Sequence, residues 1–140
     1  MTEQNEFVMR PIGFIRSPLL ERENAPKQGS EGAPSAWVEI EPIFAEGLDG
    51  VETGSELILL TWFHKADRRV LKVHPRGDPA NPVRGVFLTR SPDRPNPLGL
   101  HRVKVIEYKF PGHLKVYPLE AIDGTPVIDI KLVLDQTRDA

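Results

Sequence analysis

The sequence predicts an all-β fold, a sandwich or barrel of about seven or eight short strands with long loops between them. Three observations carry this expectation. Runs of β-branched and aromatic residues recur along all 140 residues, prolines and glycines interrupt them at close intervals, and no stretch keeps an apolar helical period long enough for a stable helix. One domain suffices for this length, burying roughly two thirds of the surface that its unfolded chain exposes.

Taken in order, Phe7 to Arg16 reads as a strand, with Pro11 and Gly13 marking an edge, a bend or a bulge. Leu19 to Ser35 loses all periodicity and gains Asn24, Pro26, Gly29, Gly32 and Pro34, a long irregular segment of the kind that is usually functional or disordered. Trp37 to Glu41 alternates like a half-buried strand, and Ile43 to Leu48 makes one helical turn before Asp49-Gly50. Glu56 to Phe63, the most apolar run, reads as a central strand buried on both faces. Arg69 to His74 reads as a further strand, and Pro75 to Val83 as a second loop.

Gly85 to Leu88 and Leu98 to Lys104 read as strands bracketing Thr89 to Pro97, a segment too rich in proline to join a ladder. Three prolines in six residues leave this loop little freedom to lose when something binds. With Arg90 and Arg94 on it, the loop is either a binding element or a rigid turn with solvated charges. Val103 to Phe110 and Leu114 to Ala121 flank Pro111-Gly112-His113 as a hairpin, and Val127 to Leu134 follows the Asp123-Gly124-Thr125-Pro126 turn as the last strand. These boundaries give a flexible N-terminus over 1–6, a barrel or sandwich domain over 7–135 and a tail over 136–140.

The formal net charge is −2, which alone argues against a nucleic-acid partner, but its distribution is uneven. Residues 1–56 hold 4 Lys/Arg against 11 Asp/Glu, whereas residues 64–104 hold 10 against 3. Such a basic stretch suits phosphates or an anionic substrate, or else forms a solvated face balanced by acidic neighbours. The absence of cysteine excludes disulfides, thiolate zinc sites and cysteine nucleophiles. No targeting segment and no membrane-spanning run are apparent, which reads as a cytoplasmic protein with no membrane partner. No Gly-rich phosphate loop and no serine elbow occurs, and His64, His74, His101 and His113 are too dispersed along the chain to suggest a metal site. His64, at the end of the apolar run, either caps a strand or delivers a polar group to a barrel rim.

Three stretches together carry a resemblance: Pro11-Ile12-Gly13-Phe14-Ile15-Arg16-Ser17-Pro18, then Thr89-Arg90-Ser91-Pro92-Asp93-Arg94-Pro95-Asn96-Pro97-Leu98-Gly99, and Asp123-Gly124-Thr125-Pro126-Val127-Ile128-Asp129-Ile130-Lys131. Over about residues 8 to 134 the chain resembles the TsaA-like (YaeB/TrmO) family of S-adenosylmethionine-dependent enzymes that methylate N6 of threonylcarbamoyladenosine at position 37 of tRNA. The resemblance implies a single-domain, closed or nearly closed β-barrel that forms a homodimer and binds its cofactor near the subunit interface. It assigns cofactor binding to Pro26, Lys27 and Gln28, to His64 and Lys65, to Arg90, to Leu100, and to Glu120, Ala121, Ile122 and Asp123. Lys27 stands where the family has arginine, which keeps the charge and loses the planar fork. Larger members resemble this chain plus a C-terminal domain thought to help hold tRNA.

Methyl transfer from a sulfonium needs donor carbon and attacking nitrogen held in line, and the N6 of a carbamoylated adenine is a poor nucleophile that gains from losing its proton. His64 and Asp123 are the candidates for that proton. Arg90 suits a carboxylate, and Arg68, Arg69, Arg94 and Asn96 are expected to meet the substrate, a tRNA carrying threonylcarbamoyladenosine. Two other functions fit: a methyltransferase of the same barrel acting on a small acidic metabolite, and a noncatalytic β-barrel module that binds RNA. Scattered aromatics at Trp37, Trp62, Tyr108 and Tyr117 speak against the module, which stacks bases on a shared platform.

Overall fold

A computed structural model describes residues 5–27 and 29–134. Six antiparallel strands close into a barrel in the order β1-β2-β7-β6-β3-β8. Their ranges are β1 Gly13–Arg16, β2 Ala36–Ile40, β3 Glu56–Trp62, β6 Leu98–Lys109, β7 His113–Tyr117 and β8 Pro126–Leu132. A separate two-stranded sheet joins β4 Lys72–Val73 to β5 Arg84–Gly85.

Alternation builds the core. Leu57, Leu59 and Thr61 of β3 point inward, as do Gly99, His101, Val103 and Val105 of β6, against Ile15, Val38, Leu114, Val116 and Val127 from the other strands. The twelve-residue β6 is the longest strand, and it absorbs the two segments expected separately as Leu98 to Lys104 and Val103 to Phe110. Register slips at Leu60/Thr61 between β3 and β8 and at Val105/Glu107 between β6 and β7 mark the bulges that bend these strands around the barrel.

Several sequence expectations are corrected. Only Gly13–Arg16 of the expected strand Phe7 to Arg16 joins the barrel, and Phe7 and Val8 are exposed; Pro11 lacks the N–H that would continue the ladder. β3 is not buried on both faces, since Ile58, Leu60 and Trp62 on its outer side are only half-buried. Of Arg69 to His74 only Lys72-Val73 pairs, because its partner β5 is two residues long. Val86 to Leu88 is a 3-10 turn rather than a strand. The Val86 carbonyl accepts the Thr89 N–H, the Thr89 hydroxyl and the Arg94 guanidinium, and so has no strand partner. Pro118 ends β7 at Tyr117, short of the expected Ala121. The expected tail over 136–140, and residues 1–4 of the expected N-terminus, lie outside the described residues.

Antiparallel order sorts the connections by end. β1, β3 and β7 finish where β2, β6 and β8 begin, so the long connections 17–35 and 63–97, and also 118–125, gather at one end of the barrel. Segments 41–55 and 110–112 close the other.

β1 completes the circle with four residues, pairing Gly13 with Ile40 of β2 and with Val127 of β8. A Cβ on Gly13 would lie 2.2 Å from the Glu39 carbonyl oxygen, which belongs to the backbone and has nowhere to go. Gly13→Ala should therefore lower stability by about 2 kcal/mol or more, while Gly47→Ala, whose new Cβ meets nothing within 4 Å, should change it by less than about 0.5 kcal/mol; urea unfolding of the pair measures the difference.

Candidate functional site

The long-loop end holds an open cleft of about 1700 Å³. Its lining brings together Pro26 and Lys27 from the first loop, His64 and Lys65 from the turn after β3, Arg90 and Arg94 from the proline-rich loop, Leu100 on the outer side of β6, and Glu120, Ala121 and Ile122 from the β7–β8 connection. Residues spread over nearly a hundred positions thus share one wall. Gln28 lies outside the described residues. Asp123 does not line the cleft: its Oδ1 accepts the Ser17 N–H at 3.0 Å and its own N–H reaches the Leu19 carbonyl at 2.7 Å, tying the first loop to the last.

Lysines and arginines outnumber carboxylates in this lining, and four of the arginines are engaged with protein partners. Arg22 donates to the Lys65 carbonyl at 3.2 Å and to Asp93 at 3.1 Å. Arg76, held at φ 61°, pairs with Glu31 at 2.5 Å, and Arg102 reaches Glu56 at 3.5 Å. Arg90 is exposed and makes no hydrogen bond or ion pair among the described residues. A free guanidinium on a stiff loop is available to an anionic ligand, above all a carboxylate.

Arg94 behaves differently from Arg90. Its half-buried guanidinium donates to the carbonyls of Ser91 at 2.8 Å, Val86 at 2.6 Å and Thr89 at 2.6 Å, so it staples the loop that carries it. Arg68 lies outside the cleft lining over the Trp62 ring at 5.0 Å, donating to the Pro95 carbonyl and to Asn96. Arg69, also outside it, pairs with Asp67. Of the four residues expected to meet substrate, only Arg94 borders the cleft.

His64 sits in the turn that follows β3. Partial burial, and then the Lys65 cation, hold its pKa below the ordinary imidazole value of 6.5. The imidazole is therefore neutral at pH 7 and keeps a lone pair for a proton.

The sequence and the barrel have counterparts among known proteins. The family model of the tRNA-methyltransferase O N-terminal domain matches residues 14–138. The chain belongs to that family. A protein of Methanothermobacter thermautotrophicus named as a probable S-adenosyl-L-methionine-binding protein is 45% identical over 127 residues, covering 90% of this chain and 89% of its own. An S-adenosyl-L-methionine-binding protein of Archaeoglobus fulgidus is 43% identical over 124 residues, covering 89% and 87%. The crystal structure of TrmO from Pseudomonas aeruginosa superposes with a TM-score of 0.74 at 32% identity, covering 99% of this chain and 62% of that one. The chain thus spans about three fifths of the length of that solved TrmO.

Within this TrmO-type domain the structure adds residues that sequence reasoning passed over. Phe63, Gly99 and the largely buried His101 form the floor of the cleft at the end of the barrel, with Thr61 buried beneath them. The signal for His101 was present in the alternation of β6, which puts it on the same side as Val103 and Val105. Arg94→Ala should open the proline-rich loop and lower stability by about 2 kcal/mol, because three charge-assisted bonds to carbonyls are lost together. Arg94→Lys should restore less than half of that, since one ammonium on a flexible stem lacks the fork; chemical denaturation of both variants checks it.

Proposed function

We propose that this chain is an S-adenosylmethionine-dependent methyltransferase, and that it methylates N6 of threonylcarbamoyladenosine at position 37 of tRNA in the cytoplasm. The observation that carries the reading is the set of groups assembled in the cleft of a TrmO-family domain. A free guanidinium at Arg90, a carboxylate at Glu120 and apolar surface at Leu100, Ala121 and Ile122 match a ligand with its own carboxylate, its own N–H and O–H donors and a flat apolar base. Two relatives are named for binding S-adenosylmethionine. When bound, the cofactor supplies an electrophilic methyl group on a sulfonium.

The protein's share of the reaction is positioning and proton removal. Holding the methyl carbon in line with N6 can lower the barrier by roughly 7–11 kcal/mol without any covalent intermediate. As the carbon–nitrogen bond forms and the carbon–sulfur bond breaks, the N6 proton must leave. His64 takes that role in this reading: it lines the cleft and is neutral at pH 7, whereas Asp123 is committed to Ser17 away from the cleft. Arg90 binds a carboxylate, that of the cofactor or that of the threonyl group.

A second reading, methylation of a small acidic metabolite, draws on Arg68 and Arg69, whose surface guanidinium groups already bond within the chain, to the Pro95 carbonyl and to Asp67. Apolar side chains exposed at the cleft rim, Phe87, Leu88 and Leu98, suit cover by a second copy of the chain.

If His64 accepts the proton, kcat/KM should be flat near neutrality and fall on acidification through a pKa below 6.5. His64→Gln should remove that acid limb and slow transfer by about 10²-fold or more; a pH–rate profile of both proteins measures it.

Incubation of S-adenosylmethionine, protein and tRNA followed by mass spectrometry of the nucleosides should show one added methyl on threonylcarbamoyladenosine. Binding to that tRNA should weaken about 10³-fold between about 50 and 200 mM salt if six or more phosphates are contacted, and light scattering on the same sample should give two copies per particle. No methylated nucleoside and no tRNA retention, with cofactor still bound, would transfer the assignment to a small acidic substrate, and a monomer mass would remove the dimer.

A further inference from the structure

We propose that His101 is a positioning residue that sets the Glu120 carboxylate and, through it, the donor groups of the bound cofactor. The inference rests on the cofactor reading above and extends it to a residue buried behind the site.

The His101 side chain is 1% exposed and faces into the barrel, paired across the β3–β6 ladder with Leu59. An imidazole here is costly unless both nitrogens are satisfied. Both are: Nδ1 contacts Glu120 Oε1, and Nε2 lies 2.7 Å from the Thr61 hydroxyl, itself fully buried. With Nδ1–H donated to the carboxylate, Nε2 is left to share a hydrogen bond with the Thr61 hydroxyl, so the two partners together fix the orientation of the ring. The ring plane is fixed too. Phe63 packs edge-on at 5.8 Å between centroids and 85° between planes. A Cβ on Gly99 would lie 2.5 Å from the Thr61 oxygen and 2.7 Å from His101 Nε2, so the absence of a side chain there is what admits the pair.

Everything behind Glu120 is thereby immobilised. Its side chain, 16% exposed, borders the cleft, and Oε2 carries no hydrogen bond among the described residues. A carboxylate anchored by one oxygen presents the other in a defined direction, so a ligand N–H or O–H meets an acceptor whose rotamer freedom is already gone. Packing alone does not call for an imidazole that reaches Glu120: of its inward neighbours on β6 and β3, Val103 and Leu59 are apolar, Gly99 has no side chain, and only the Thr61 hydroxyl offers a polar partner. Holding a cleft-facing carboxylate is what the imidazole adds.

Two amide substitutions separate this role from a structural one. The amide nitrogen of an asparagine reaches the position of Nδ1, and that of a glutamine the position of Nε2. Calorimetric titration of S-adenosylmethionine into folded protein should show His101→Gln binding about 10- to 100-fold more weakly, and His101→Asn recovering most of that loss even though its link to Thr61 is gone. In a Glu120→Ala background, His101→Gln should have no further effect on cofactor affinity, whereas a structural contribution would add to the first loss.

A His101→Gln protein that melts cooperatively and binds the cofactor as tightly as wild type overturns the proposal, as does an Asn variant no better than the Gln variant. Should both His101 variants fail to fold, Thr61→Val, which replaces the hydroxyl by a methyl of similar volume, carries the test: several-fold weaker binding is expected, and unchanged affinity overturns it. Wild-type protein that takes up no S-adenosylmethionine overturns the reading of the cleft itself, an outcome distinct from wild-type binding that His101 does not influence.

Discussion

Barrel closure is the constraint on which the rest depends, and it rests on the close approach of β1 to its neighbours. A six-stranded sheet left open would expose two edges of unpaired N–H and C=O groups. Here a four-residue strand closes the gap, with only Gly13 and Phe14 paired to β8. Gly13 lets the β2 backbone come within a distance that any side chain would block. Once closure is set, the strand ends form two fixed rims, and each loop leaves from a defined point on one of them.

The rim where β1, β3 and β7 finish collects almost all of the chemistry. Its largest connection, 63–97, together with the first half of β6, is the same stretch in which the lysines and arginines concentrate. An imbalance of charge along the chain thus becomes an imbalance between the two ends of a barrel. Inside that excess the roles diverge. Arg94 and Arg22 are consumed in building the walls, whereas Arg90 lines the cleft with its guanidinium unengaged among the described residues. Proximity in sequence says nothing about this division, since Arg90 and Arg94 lie on the same proline-bounded loop.

Much of the fold was legible because inward and outward residues alternate wherever one face meets the core. The alternation falls within strands over Trp37 to Ile40 and over Val127 to Leu132, with Glu41 and the last two expected residues outside them, and the proline-rich stretch after Leu88 is a loop. Reading failed where tertiary partners outweigh local preference. Val86, Phe87 and Leu88 are β-formers, yet the Arg94 side chain and Thr89 capture the carbonyl that a neighbouring strand would have needed. Site residues became nameable through family resemblance, because Pro26 and Glu120 have no pattern in common until the barrel brings them together. His101 escaped because histidines were weighed by their spacing from one another along the chain. Its side of the strand, not its distance from other histidines, determines what it touches.

The cleft walls are cross-braced. Arg22, on the first loop, grips both the Lys65 carbonyl after β3 and Asp93 in the proline-rich loop, whose other oxygen receives the Asp67 N–H. Arg76 and Glu31 add a second strut between the β4–β5 turn and that same first loop. Segments joined in this way share their fluctuations, so the entropy lost on ordering one is partly the entropy lost by all. Loops sixty residues apart in sequence are thus joined by side-chain struts, so a ligand that ordered the proline-rich loop would also restrict the loop that bears Pro26 and Lys27.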